Sequence, residues 1–275
     1  MRFAICNELF QGWSLERIFD YASRLGYDAV EIAPFTISDD IRNVGTEARR
    51  RIRENAASHN LEVTGTHWLL LTPKGLHLTH PDEGVRKHTK QYLCELIRFT
   101  SDIGGKVLVF GSPQQRNVLD GVSKGQAWNF AKEIFSDCSR FAEDYGAVIC
   151  LEPLARHATN FINTAEEAIR LIEEVSHPNL RLILDVSAMS DEEKPMDEII
   201  RSGKGYLAHF HANDPNRLGP GFGDVDYKPI VKALREINYR GFVSVEVFDF
   251  TPGPEEIARR SLENLRRFWG EKPKG

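Results

Sequence analysis

The sequence predicts a single (β/α)8 barrel spanning residues 1–275, and three observations point to it. Short apolar runs alternate eight times with helical patterns. The length of 275 residues lies close to the size of a one-domain α/β barrel, roughly 250 residues. Finally, four successive apolar runs end in an ionisable residue, and the ends of barrel strands gather at one mouth.

The strand-like runs fall at residues 3–7, 29–32, 62–66, 106–110, 147–152, 181–185, 207–211 and 242–246. They are short, and most are rich in Val, Ile, Leu and Phe, as expected of parallel strands covered on both faces. Ile18, Phe19, Ala22 and Leu25 form the first apolar stripe at helical spacing. Leu96, Phe99 and Ile103 lie in a long helix that Gly104-Gly105 should stop. Trp128, Ala131, Ile134 and Phe135 mark the next helix. Thr164-Ala165-Glu166-Glu167 reads as a capping box opening a helix that runs to Val175. Ile230, Leu234 and Ile237 lie in the seventh helix, and Ile257, Leu262, Leu265 and Phe268 in the last. A doubly wound open sheet is the rival arrangement, but no GxGxxG follows the first run and no composition shift marks a second domain.

Hydrophobic residues make up 41% and charged residues 27%, enough for a large core and unlike a disordered chain. The net charge of −5 argues against a nucleic-acid footprint. The densest basic run, Arg49-Arg50-Arg51-Ile52-Arg53, is flanked by Glu47 and Glu54 and reads as a solvated helix face. Cys6, Cys94, Cys138 and Cys150 show no CxxC spacing, which fits buried free thiols in a reducing compartment. The opening residues are apolar for too few positions to form a signal-peptide core, and no run approaches the roughly 20 apolar residues of a membrane span. A cytoplasmic protein without membrane partners is expected, and a homodimer is compatible with the class.

Glu152, Asp185, His211 and Glu246 end the fifth, sixth, seventh and eighth runs. Singly, each has an ordinary reading: an arginine pair for either glutamate, a turn cap for Asp185. Together they converge on one mouth, where unpaired buried carboxylates are costly and a divalent cation removes that cost. Three carboxylates and an imidazole favour Mn²⁺, with Co²⁺ and Mg²⁺ as alternatives, and Zn²⁺ also accepts such ligands. Such an ion would polarise a carbonyl, and a neighbouring carboxylate would take the acidified C–H proton. His209 shares a strand face with His211. Residues 66–84 form an unusually long segment after the third run, with His67, Trp68, His77 and His80; a lid and a packed loop are equally compatible with it.

At these residues the chain resembles the xylose-isomerase-like superfamily of sugar isomerases and epimerases, and within it the ketose 3-epimerases. Leu151-Glu152-Pro153-Leu154-Ala155-Arg156, continued by Thr159-Asn160-Phe161-Ile162-Asn163-Thr164, is similar to the family's fifth-strand motif. His209-Phe210-His211, followed by Asn216-Arg217 and Pro220-Gly221-Phe222-Gly223, is similar to its seventh-strand motif. The resemblance implies that Glu152, Asp185, His211 and Glu246 are metal ligands. It further implies that Glu152 and Glu246 act from opposite sides of a substrate carbon, exchanging a proton through an enediolate-type intermediate. Arg217 would bind a sugar oxygen or brace the site, and His67, Trp68 and His209 are the further candidates for substrate contact. Two departures stand out. Ala158 and Ala188 occupy positions where the 3-epimerases carry a glutamate and a histidine that touch substrate. Losing such contacts can remove ~2–5 kcal/mol of discrimination, so free-ketose recognition is expected to differ. His157 is a candidate replacement.

Gly121-Val122-Ser123-Lys124-Gly125 matches GxSxG but follows a polar stretch, so Ser123 reads as a helix cap and not a nucleophile. Pro220-Gly221-Phe222-Gly223 lacks the Lys and Ser/Thr of a phosphate-binding loop. The leading expectation is a metal-dependent isomerase or epimerase acting on a ketose, keto-inositol or related sugar. The alternative is a lyase performing β-elimination on a 3-keto-sugar or 3-keto-glycoside. An abasic-site endonuclease and a non-catalytic sugar-binding barrel are less consistent with the charge and with the paired glutamates.

Overall fold

A computed structural model of the chain describes residues 1–271, so the last four positions of the expected domain lie outside the described residues. Eight parallel strands close in sequence order: β1 Arg2–Cys6, β2 Ala29–Ile32, β3 Glu62–Thr66, β4 Val107–Phe110, β5 Val148–Leu151, β6 Leu180–Asp185, β7 Leu207–Ala212 and β8 Phe242–Val245. β8 pairs back onto β1, with Phe3 opposite Val243 and Ile5 opposite Val245. Around the sheet lie α1 Leu15–Leu25, α2 Thr46–Ser58, α3 Glu83–Asp102, α4 Lys124–Asp144 and α5 Ala165–Val175, then the one-turn α6 Val186–Met189, α7 Met196–Ser202, α8 Tyr227–Glu236 and α9 Pro254–Trp269.

Strand alternation sorts the side chains. Phe3, Ile5, Val30, Leu108, Phe110, Ile149, Leu151, Leu182, Leu184, Phe210, Val243 and Val245 join the main apolar layer between sheet and helices. The opposite faces carry the barrel interior. Ala4, Ala29 and Phe242 fill one part of it, and Val109, Cys150 and Ile183 another. Farther along the same faces come Glu31, Glu152, Asp185, His211 and Glu246. The register between β6 and β7 shifts so that Leu182 faces Leu207 but Ile183 faces His209. This irregularity returns both His209 and His211 to the interior, level with Ile183 and Asp185. Gly65 is required where β3 meets β4, because a Cβ there would lie 1.8 Å from the Val107 carbonyl oxygen.

The structure adjusts several expectations. Asn7 leaves β1 for a 3-10 turn, and Glu152 and Glu246 each stand one residue beyond their strands. The sixth crossover holds two short helices in place of one. α3 stops as expected, with Gly104 in the left-handed region. Ser123 caps α4 in a reciprocal capping box with Gln126. At α5 only half of the expected box forms: Thr164 accepts the Glu167 N–H, but the Glu167 carboxylate accepts from the Asn163 N–H. Glu47 and Glu54 pair with Arg50 on the exposed face of α2. All four cysteines are free, with Cys94 only half-buried. No helix among the described residues is long and apolar enough to cross a membrane.

Candidate metal centre

The ends of β5 to β8 bring Glu152, Asp185, His211 and Glu246 together. One ligand atom from each lies within 4.8 Å of all the others, and all four residues are buried. Several features aim these groups. Arg116 is fully buried and donates from Nη1 to the Glu152 carbonyl at 2.7 Å, tying the β4 loop to the end of β5. Gly111 leaves room for the Glu152 carboxylate, since a Cβ there would lie 2.4 Å from Oε2. Asp185 accepts the Ala188 N–H at 2.7 Å and the Asn213 side-chain amide at 2.6 Å. His211 places Nδ1 3.0 Å from Glu246 Oε2, while its Nε2 lies 3.2 Å from Glu31 Oε1. An Nε2–H donated to Glu31 fixes the tautomer that leaves the Nδ1 lone pair facing the cluster.

The electrostatics of these four groups fit a cation. Burial, reinforced by Glu246, pushes the Glu152 carboxyl up to about 8. The same two causes push Asp185 up to about 6. Burial opposes charge on the His211 ring, but Glu246 and Glu31 outweigh it and hold its pKa well above the usual imidazole range. These protein groups hold protons that a divalent ion of oxygen and nitrogen preference would displace.

Glu31 and Glu8 did not stand out in the sequence. Glu31 sits inside the apolar run of β2, fully buried, and accepts His209 Nε2 at 2.8 Å as well as His211. The two imidazoles outweigh its burial and hold its carboxyl well below the usual range. Glu8 pairs with His67 Nε2 at 2.8 Å, and this partner outweighs burial to raise His67 to about 9. The only sequence signal for Glu31 was a charge interrupting Ala29-Val30-Glu31-Ile32.

Above the cluster opens a cavity of about 430 Å³ lined by Glu152, Asp185, Glu246, His67, Trp68 and Arg217, with Ala158, Ala188 and His157 on its rim. His209 does not line it. Its ring is buried against Glu31 and His211, so the expectation of a substrate contact gives way to a bracing position beneath the floor. Trp68, Ser112 and Arg217 all take positive φ, at 54°, 40° and 72°, and all border the cavity. Side-chain residues held in this region commonly mark ligand sites. Arg217 donates to the Phe248 carbonyl at 3.2 Å. The 220–223 loop folds around Asp214, whose carboxylate accepts the Gly223 N–H at 2.6 Å, so its amides serve the protein itself. The 66–84 segment is packed: Leu69, Leu70, Leu76 and Leu78 are buried, and Leu78 donates to the Gln115 carbonyl. Only its first residues and Leu71 reach the mouth.

Residues 19–268 match the model of the xylose isomerase-like TIM barrel family. The chain belongs to that family. It is 29% identical to a D-psicose 3-epimerase of Ruminiclostridium cellulolyticum over 86% of this chain and 81% of that protein. It is 25% identical to the 3-dehydro-D-guloside 4-epimerase of Escherichia coli over 97% of this chain and 99% of that protein. A crystal structure of a D-psicose 3-epimerase in the presence of D-fructose superposes with a TM-score of 0.86 at 23% identity, covering 98% of this chain and 100% of the other, and shares the fold.

Proposed function

We propose that this protein is a divalent-metal-dependent sugar isomerase or epimerase that moves a proton on a ketose, keto-inositol or related keto-sugar. The observation that carries this reading is the cluster of Glu152, Asp185, His211 and Glu246, whose three carboxylates line one cavity, with its two glutamates following different strands. The 3-epimerase and 4-epimerase relatives support the same chemistry. Glu152, Asp185, His211 and Glu246 would hold the ion, with Mn²⁺ favoured by the oxygen-rich set. When bound, the ion supplies Lewis acidity that polarises a substrate carbonyl. Glu152 and Glu246 would take and return the proton on the carbon next to the substrate carbonyl, one from each side. Arg217 binds a sugar oxygen at the rim, and Trp68 and His67 bound the ring.

A β-elimination reading draws on Ala158 and Ala188, which line the cavity without hydrogen-bonding groups and leave room for a bulkier keto-glycoside. The two readings share the first proton transfer and differ in product. The test is Mn²⁺-loaded enzyme in heavy water with a panel of keto-sugars. Deuterium should enter the substrate or product carbon, and Glu246→Gln should slow that exchange by roughly 10²–10⁴-fold. Release of a free alcohol would select elimination. Absence of deuterium in every product would overturn the proposal.

A further inference from the structure

Beside the metal cavity lies a second, larger one of about 1020 Å³ over the loops that follow β1, β2, β3 and β8. The two share Trp68, Arg217 and Phe248, so they adjoin across that seam. Pockets of ~300–1,000 Å³ enclose a drug-sized ligand. The metal cavity already falls in that range, so one sugar ring leaves the second space unused.

Its lining has a definite chemistry. Phe10, Trp13, Phe35, Phe250, Trp68 and Phe248 supply aromatic surface. Apart from Phe10, these rings are only half-buried, so they keep area available for stacking, although the Arg17 guanidinium covers one face of Trp13 at 3.5 Å from the ring centroid. Trp68 stands at the seam in its positive-φ conformation, edge-on to Phe248 with ring centroids 6.3 Å apart. Glu8 also lines this cavity, with Oε2 2.8 Å from His67 Nε2 and Oε1 buried from solvent. Among the described residues Arg217 is the one cationic side chain in the lining, and the Glu8 carboxylate shares that lining, which disfavours a phosphate.

We propose that the substrate is a keto-sugar carrying a neutral ring in glycosidic linkage, with the sugar over the metal cluster and the attached ring stacked in this trough. The inference rests on the proton-transfer reading above, and it adds the substrate class. Trp68 would border the linkage.

The test uses the full Mn²⁺-loaded chain with methyl and 4-nitrophenyl 3-keto-glucosides, D-fructose and D-fructose 6-phosphate. kcat/KM should rise roughly tenfold or more from the methyl to the aryl compound, in line with one or two aromatic contacts. Trp13→Ala and Phe35→Ala should each lower kcat/KM for the aryl compound several-fold more than for the methyl one, with circular dichroism checking that both variants fold. Calorimetry with unreactive methyl and phenyl glucosides separates the two layers of argument. Tighter binding of the phenyl compound, lost in Trp13→Ala, supports the trough even if no sugar exchanges deuterium, and that outcome would overturn only the proton-transfer reading. Equal binding and equal kcat/KM for small and aryl compounds, or a preference for the phosphorylated ketose, would overturn the proposal.

Discussion

Glu31 and Glu152 are both buried carboxylates at the same end of one barrel, and the protein treats them in opposite ways. Glu31, on β2, receives His209 and His211, and its carboxyl is held well below the ordinary range. Glu152, beyond β5, accepts no side-chain or backbone hydrogen bond on its carboxylate among the described residues, and its carboxyl rises to about 8. The β1–β3 side of the mouth is therefore neutralised internally by imidazole–carboxylate pairs, including Glu8 with His67. The β5–β8 side gathers like charges with His211 as its one shared imidazole. A protein tolerates such a cluster where something from outside supplies the opposite charge. The contrast puts the uncompensated carboxylates on one side and the paired ones on the other, with His211 bridging them.

Replacing Glu31 with Gln breaks the comparison most severely. It removes the charge that orients His211 and leaves His209 without its carboxylate. Mn²⁺ affinity should fall roughly 10–100-fold, as for other partners behind a ligand histidine, and calorimetric titration measures it. Unchanged affinity would mean that the two sides act independently.

A smaller effect concerns pH. Carboxyls raised above their unfolded values bind extra protons in the folded state, so they favour folding at low pH and oppose it as pH rises through the window from the unfolded value to about 8 for Glu152 and about 6 for Asp185. His211 has the same sign, because its raised pKa gives stability that is lost as pH rises through the folded value. The metal-stripped protein should therefore lose thermal stability between pH 5 and pH 8 relative to the Mn²⁺ form, roughly several degrees in Tm. Scanning calorimetry with and without Mn²⁺ checks this. An Mn²⁺ increment that shrinks toward pH 8 would contradict the assignment of these carboxyls to the cation.

The barrel was legible because its strands are short, apolar and evenly interleaved with amphipathic helices. The cluster was legible because Glu152, Asp185, His211 and Glu246 each follow an apolar run, so local pattern alone marks them. Glu31 was not, because its meaning comes from His209, 178 positions away, and from a register shift between β6 and β7 that no local pattern announces. The same shift explains His209, which the sequence offers as a substrate contact and the barrel turns beneath the floor. The aromatic trough escaped notice for a similar reason: its walls come from loops after β1, β2, β3 and β8, each contributing one or a few rings. Half of the expected cap at Thr164 failed because Glu167 found the neighbouring N–H of Asn163.

The most direct test of the central claim is metal content and Mn²⁺ electron paramagnetic resonance on the purified chain and on Asp185→Asn. The account predicts one tightly held ion per native chain, a spectrum distinct from hydrated Mn²⁺, and loss of both in the variant while the fold persists. A native chain that binds no divalent ion, or a variant that binds it as tightly as the native chain, would contradict it.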